Sequence, residues 1–218
     1  MSPADLCHAC ADRLGLAGAA ITLLSAPDRR HVSGITGKLA DALEDLQAVV
    51  GEGPITDAWE RRRPVLVRDL AAPERRRRWP AFAQAAVELG AGAVFAFPLQ
   101  VGAIRLGVLS MYREAAGPLT DEELADALVY ADAATILTLE GGADNGFAAP
   151  ADLDGANVAS TAVIYQATGM VSVQLGSSVE EAFVRIRAYA YAHDRRLADV
   201  ARDVVGRRLR LTAGPENT

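Results

Sequence analysis

From Glu140 to Asn157 the chain runs Glu-Gly-Gly-Ala-Asp-Asn-Gly-Phe-Ala-Ala-Pro-Ala-Asp-Leu-Asp-Gly-Ala-Asn, and no apolar residue recurs there at helical or strand spacing. Glycine, proline and short polar residues stop regular structure, so residues 141–157 are expected to be a linker. The 218 residues then cannot share one core. They fall into a larger piece, 1–140, a smaller one, 158–211, and a flexible tail, 212–218. Charge divides at the same place. Residues 1–157 carry 14 basic and 22 acidic groups, whereas residues 158–211 carry 8 basic and 5 acidic groups. The net charge of -6 leans against nucleic acid only while the chain is treated as a whole.

Half of the residues are hydrophobic, enough for a buried core in the larger piece. No run approaches the roughly 20 apolar residues of a membrane-spanning helix. The start, Met1-Ser2-Pro3-Ala4-Asp5, lacks the basic region of a secretory signal, and two cysteines cannot build a disulfide scaffold. The expectation is a cytoplasmic protein with no membrane contact.

In the larger piece the pattern alternates between periods. Helical spacing over Leu6–Leu16 gives way to a hairpin from Ala19–Leu24 and His31–Thr36. A helix over Ala40–Val50 ends at the turn cluster Gly51-Glu52-Gly53-Pro54, in which Glu52 is a candidate cap. A short helix (Ile55–Arg62), a short strand (Pro64–Val67), a loop holding Arg75–Arg78 and a helix (Phe82–Leu89) follow. Ala91–Leu99 and Ile104–Tyr112 form a second hairpin, and Thr120 with Glu123 makes a capping box that opens a helix to about Leu139. The class is α+β around one antiparallel sheet. On the last helix Leu124, Leu128, Ala131, Ile136 and Leu139 are expected to form an apolar seam for a helical dimer or an interdomain contact. The smaller piece reads as three helices, Val158–Leu175, Val179–Ala192 and Leu197–Leu211, with Ser177 or Ser178 as a cap. About 54 residues hold too little core to be very stable alone, so this trio is expected to lean on a partner chain or on the helix before it.

Certain ordered motifs carry resemblances. Leu46-Gln47, Gly51-Glu52-Gly53-Pro54, Pro64-Val65, Asp69-Leu70, Trp79-Pro80, Phe95–Leu99 and Gly107-Val108-Leu109 make residues 4–140 resemble a GAF domain, the small-molecule-sensing fold of signalling proteins. Gln166-Ala167-Thr168-Gly169-Met170, Leu175-Gly176, Glu181-Ala182-Phe183, Ile186-Arg187 and Leu197-Ala198-Asp199-Val200-Ala201 make residues 158–211 resemble an ANTAR domain, the three-helix RNA-binding module of transcription antitermination regulators. The order GAF then ANTAR is familiar from actinobacterial regulators, which suits a chain whose only lysine is Lys38. That family commonly has a basic residue where this chain has Thr168. The resemblance implies a homodimer that grips stem-loop RNA in the leader of a nascent transcript, under control of the sensor.

Such a task asks for a basic face that bears aromatic rings. Arg185, Arg187, Tyr189, Tyr191, His193, Arg195 and Arg196 are the expected RNA contacts, along the second helix and its exit. Ala182, Ala188, Ala201 and Gly169 are expected to be packing positions, and Arg207, Arg208 and Arg210 to complement a helix dipole. In the GAF-like part Trp59, Trp79, Phe82, Phe95 and Phe97 are candidates for a small-molecule pocket, with core packing as the competing role. Cys7-His8-Ala9-Cys10 is expected to hold buried thiols; a zinc site needs two more ligands, and there is no second CxxC. No catalytic residue, metal or cofactor is expected. Two other readings stay open: a protein-interaction or dimerisation module without RNA binding, and a thiol reductase on the GAF scaffold.

Overall fold

The computed structural model describes residues 1–26, 29–144, 155–193 and 195–211. The chain divides into two compact units, one holding the sheet and the other the last three helices together with Ala48–Val50. In chain order the first contains α1 (Pro3–Leu14), β1 (Gly18–Ala26), β2 (Arg29–Thr36), α2 (Lys38–Val50), α3 (Pro54–Arg61), β3 (Val65–Val67), α4 (Pro73–Arg78), α5 (Pro80–Glu88), β4 (Ala93–Val101), β5 (Ile104–Arg113) and α6 (Asp121–Asp144). The second contains α7 (Gly155–Leu175), α8 (Val179–Ala192) and α9 (Leu197–Val205).

The five strands pair antiparallel in the order β2-β1-β5-β4-β3. Side chains alternate across the sheet, so each strand contributes to two cores. On one face Ile21, Phe95, Phe97, Leu99, Leu109 and Met111 pack with Leu6, Cys7, Cys10 and Leu14 of α1 and with Ala127, Ala131 and Ala134 of α6. Thr22 and Tyr112, next in sequence to Ile21 and Met111, point to the other face and meet α2. The helix starts are chemically fixed. Ser2 and Asp5 close a capping box on α1, and Thr120 and Glu123 close the one expected on α6.

The Gly-Glu-Gly-Pro cluster serves three helices at once. Gly51 ends α2 in the left-handed region, its N–H bonded to the Gln47 carbonyl. The Glu52 carboxylate accepts from the N–H groups of Ala81 (2.7 Å) and Phe82 (2.9 Å), capping α5 across 29 residues of chain. Gly53, at φ 134°, has no side chain to cap α3, and the buried Gln47 takes that part by accepting from the Ile55 N–H at 2.9 Å. Pro54 occupies the first helical turn, where it has no N–H to lose.

Several elements differ from the sequence reading. Arg75–Arg78 form the short helix α4 rather than a loop, because Pro73 presets the first turn and the Arg75 N–H closes on the Ala72 carbonyl. Helix α6 continues through Gly141 and Gly142 to Asp144, since glycine costs a helix only about 1 kcal/mol per residue. With α7 starting at Gly155, both ends of the segment 141–157 are helical, and residues 145–154 lie outside the described residues. The expected tail, 212–218, lies outside them too. Helix α9 stops at Val205, not Leu211: the N–H groups of Arg208 and Leu209 both return to the Asp203 carbonyl, with Arg207 left-handed at φ 57°.

A Cβ at Gly53 would stand 2.4 Å from the Gln47 Oε1 atom, which is already held by the Ile55 N–H. Gly53→Ala is therefore expected to destabilise the protein by about 1–3 kcal/mol, read as a lower urea midpoint at unchanged slope.

Candidate functional site

The three-helix unit is organised by small residues. Ala182, Ile186 and Ala190 lie four apart on α8 and are fully buried with Ala167 and Val171 of α7 and Leu197, Val200, Ala201 and Val204 of α9. Ser178, not Ser177, caps α8, sharing a capping box with Glu181. Two positions expected in the packing are outside it: Gly169 and Ala188 are both exposed. Thr168 is buried and its hydroxyl donates to the Ile164 carbonyl at 2.8 Å, so the position that is commonly basic in the resembled family here serves α7 itself.

The expected RNA contacts lie along α8 and its exit, where Tyr189 is half-buried against the helical core and Arg187 is half-buried with its Nε donating to the Val49 carbonyl at 2.7 Å. Arg185 is exposed, and Tyr191 is 60% exposed. Arg187 lies over the Phe183 ring at 5.6 Å. Tyr189 and His193 stack with ring centroids 3.9 Å apart and planes 17° from parallel, and His193 Nδ1 is 2.9 Å from the Tyr189 carbonyl oxygen. The α8 exit thus presents a two-ring platform. Arg195 is engaged: its guanidinium donates to Asp203 at 2.6 Å, and Arg208 donates to the other oxygen of the same carboxylate at 2.8 Å. These hydrogen bonds hold the Asp203 carboxyl below its usual range. Arg196 is exposed at the N-cap of α9. Asp194 lies outside the described residues.

The aromatic candidates of the first unit are all buried, but the sheet separates them. Phe95 and Phe97 belong to the α1–α6 face. Trp59 lies under the Arg105 guanidinium (4.6 Å), and Trp79 and Phe82 meet edge to face at 6.2 Å where Glu52 caps α5; none of the three joins the α1–α6 core. The five therefore do not line one pocket.

Sequence reasoning missed the polar centre of that second face. Glu44 is 4% exposed; its carboxyl accepts from Thr22 Oγ1 at 2.7 Å and from the Tyr112 hydroxyl at 2.8 Å. Gln47 donates to the same hydroxyl at 3.3 Å. Burial raises the Glu44 carboxyl above its ordinary 4.5, a shift opposed by the hydrogen bonds and by Arg30. The signal was present in the sequence: Glu44 and Gln47 follow Ala40 and Leu43 on the apolar stripe of α2.

Cys7 and Cys10 are fully buried as free thiols, and burial pushes both up to about 12. Neither is a thiolate nucleophile at neutral pH. Among the described residues no group of three or more His, Cys, Asp or Glu is placed to hold a metal, and no helix is long and apolar enough to cross a membrane.

Comparison with known proteins covers both units. A GAF domain model matches residues 4–138, and an ANTAR domain model matches residues 155–205. Among solved structures the chain is similar to the GAF domain of a phosphoenolpyruvate-protein phosphotransferase from Coxiella burnetii, with 17% identity over 66% of this chain and 84% of that one and a TM-score of 0.51. The GAF domain of the corresponding Acinetobacter protein gives 12% identity over the same shares and a TM-score of 0.50. At such identities the likeness is one of fold. No curated protein matches the chain.

Two outcomes follow from the burial. In the native protein both thiols are expected to be unreactive to an aromatic disulfide reagent at pH 8 and to react fully in denaturant; fast native reaction of either would contradict the packing. For Glu44 the folded carboxyl lies above its unfolded value, so its contribution to stability is full below about pH 4.5 and is lost as pH rises through the folded value. The denaturation midpoint should decline across that interval, and Glu44→Gln should flatten the decline.

Proposed function

We propose that this chain, which belongs to the GAF domain family and carries an ANTAR domain after it, is a signal-responsive transcription antitermination regulator whose ANTAR domain binds stem-loop RNA. The observation that carries this reading is the domain order itself, a sensor fold followed by an RNA-binding module. Both are regulatory domain types, and we assign the chain no catalytic step. Its place of work is the cytoplasm, on nascent transcripts.

The electrostatics support the assignment. Two acidic residues of the second unit are occupied within it: Asp203 holds Arg195 and Arg208, and Asp199 holds Arg202. Among the described residues Arg185, Arg207 and Arg210 make no ion pair, leaving cationic charge for phosphates. The Tyr189–His193 platform and exposed Tyr191 supply rings for loop bases.

The active form is a homodimer through α6. Of the expected seam, Leu124 and Ala131 face inward onto the sheet core, whereas Leu128, Ile136 and Leu139 are 42–57% exposed and are joined by Val129 at 65%. These four cover one side of the last helix of the sensor, an apolar stripe suited to a second copy. The sensor ligand is a small molecule bound on the face of the sheet that carries α2 and the Glu44 cluster. A second reading, dimerisation or protein contact without RNA, draws its support from Thr168.

A gel-shift experiment with RNA carrying two tandem stem-loops separates the two readings. The full chain is expected to bind with affinity that falls steeply with salt, and absence of any shift at low salt favours the second reading. Leu128→Glu with Ile136→Glu should give a monomer by light scattering and lower RNA affinity by about 100-fold through lost avidity. Arg195→Ala with Arg196→Ala should lower affinity by roughly tenfold; unchanged binding would remove the α8 exit from the interface.

A further inference from the structure

The ANTAR unit has a second basic surface, away from α8. The chain turns back after α9, and Arg207, Leu209 and Arg210 line an open groove of about 770 Å³ together with Gln166, Gly169, Met170, Val173 and Gln174 of α7. Helix α9 ends at Val205, Arg207 lies two residues beyond it, and Arg208 returns to Asp203. We propose that the groove takes an unpaired nucleotide of the RNA, its flanking phosphates on Arg207 and Arg210 and its base against Met170 and Val173. This assignment rests on the RNA-binding reading above and adds a place and a ligand class to it.

Four observations converge on that occupant. The two guanidiniums have no carboxylate partner among the described residues, so the groove is cationic. Val173 is 84% exposed, an apolar surface on which a base can lie. Gln166 and Gln174 line the groove with side-chain amides, and the enclosed Gln174 Oε1 atom has no hydrogen-bond partner among the described residues. Arg207 holds φ 57°, a conformation that glycine adopts freely and arginine does not, and this left-handed turn brings the segment back onto α7. Bases of a duplex are stacked and paired; only a splayed loop base can enter such a groove.

Gly169 provides an independent handle. It lines the groove, exposed, and a Cβ there would meet nothing within 4 Å. Gly169→Leu fills the groove while favouring the helix, and Arg207→Gly suits the backbone it replaces, so neither variant endangers folding. The experiment is fluorescence anisotropy of the full chain with RNA bearing two tandem stem-loops of randomised loop sequence, titrated over a series of salt concentrations.

Arg207→Gly combined with Arg210→Gln is expected to lower affinity at least about tenfold and to reduce the salt slope by about 1.4, as for two single-strand phosphate contacts. Gly169→Leu should lower affinity comparably with little change in slope for the residual binding. An unpaired oligonucleotide should compete better than a blunt duplex of equal length. Wild-type affinity and slope in both variants, or equal competition by the duplex, would overturn the groove assignment while leaving RNA binding intact. Failure of the unsubstituted chain to bind the RNA pool would overturn the RNA reading and the groove with it.

Discussion

The sensor unit depends on how α2 is attached to the sheet. A helix on a sheet is ordinarily held by apolar contact, which tolerates sliding. Here Glu44 reaches Thr22 on β1 and Tyr112 on β5, and Gln47 reaches Tyr112 and the start of α3. Hydrogen bonds at these lengths have direction, so one register of α2 over two neighbouring strands satisfies them all. The loop that follows inherits its position: Gly53 must pass over Gln47, and Glu52 then falls where it can cap α5. The second face of the sheet is assembled from one buried polar cluster outward.

Much of this was legible in the sequence because it is written in local chemistry. The capping box at Thr120 and Glu123, the tight β4–β5 hairpin and the Gly-rich turn after α2 are decided by neighbours a few residues apart. What escaped is decided at long range. The aromatic residues Phe95, Phe97, Trp59, Trp79 and Phe82 look alike in the sequence, and only strand register assigns the first two to the α1–α6 core. On α6 a single apolar pattern contained two faces, and which one the sheet covers depends on the rotation of the helix about its axis. Gly169 and Ala188 shared small size with the buried Ala182 and Ala201, yet size alone does not reveal burial.

Charge shows the same limit. Eight basic residues against five acidic in the second unit is a modest excess, and counting treats them as equivalent. The fold distinguishes them. Asp203 binds Arg195 and Arg208 together, joining the α8–α9 turn to the segment after α9, so part of the cationic charge is spent on holding the chain's path. Part of what remains lies on two surfaces of the same small unit, α8 with its exit and the α7 groove. The distribution matters more to a polyanion than the sum.

The inner face of α6 rests on Ala127, Ala131 and Ala134, with Leu124, Tyr130 and Leu137 packed beside them, while Leu128, Val129, Ile136 and Leu139 point to solvent. Alanine has no rotatable side-chain torsion, so it cannot absorb a neighbour's shift by changing rotamer. A leucine at these positions could relax by swinging its isobutyl group; an alanine contact is a hard stop between helix backbone and sheet. Movement of β4 or β5 on this seat is therefore passed to the helix as rigid displacement. Mechanically, α6 behaves as a stiff rod bearing on the sheet, and its outward leucine and isoleucine side chains travel with it.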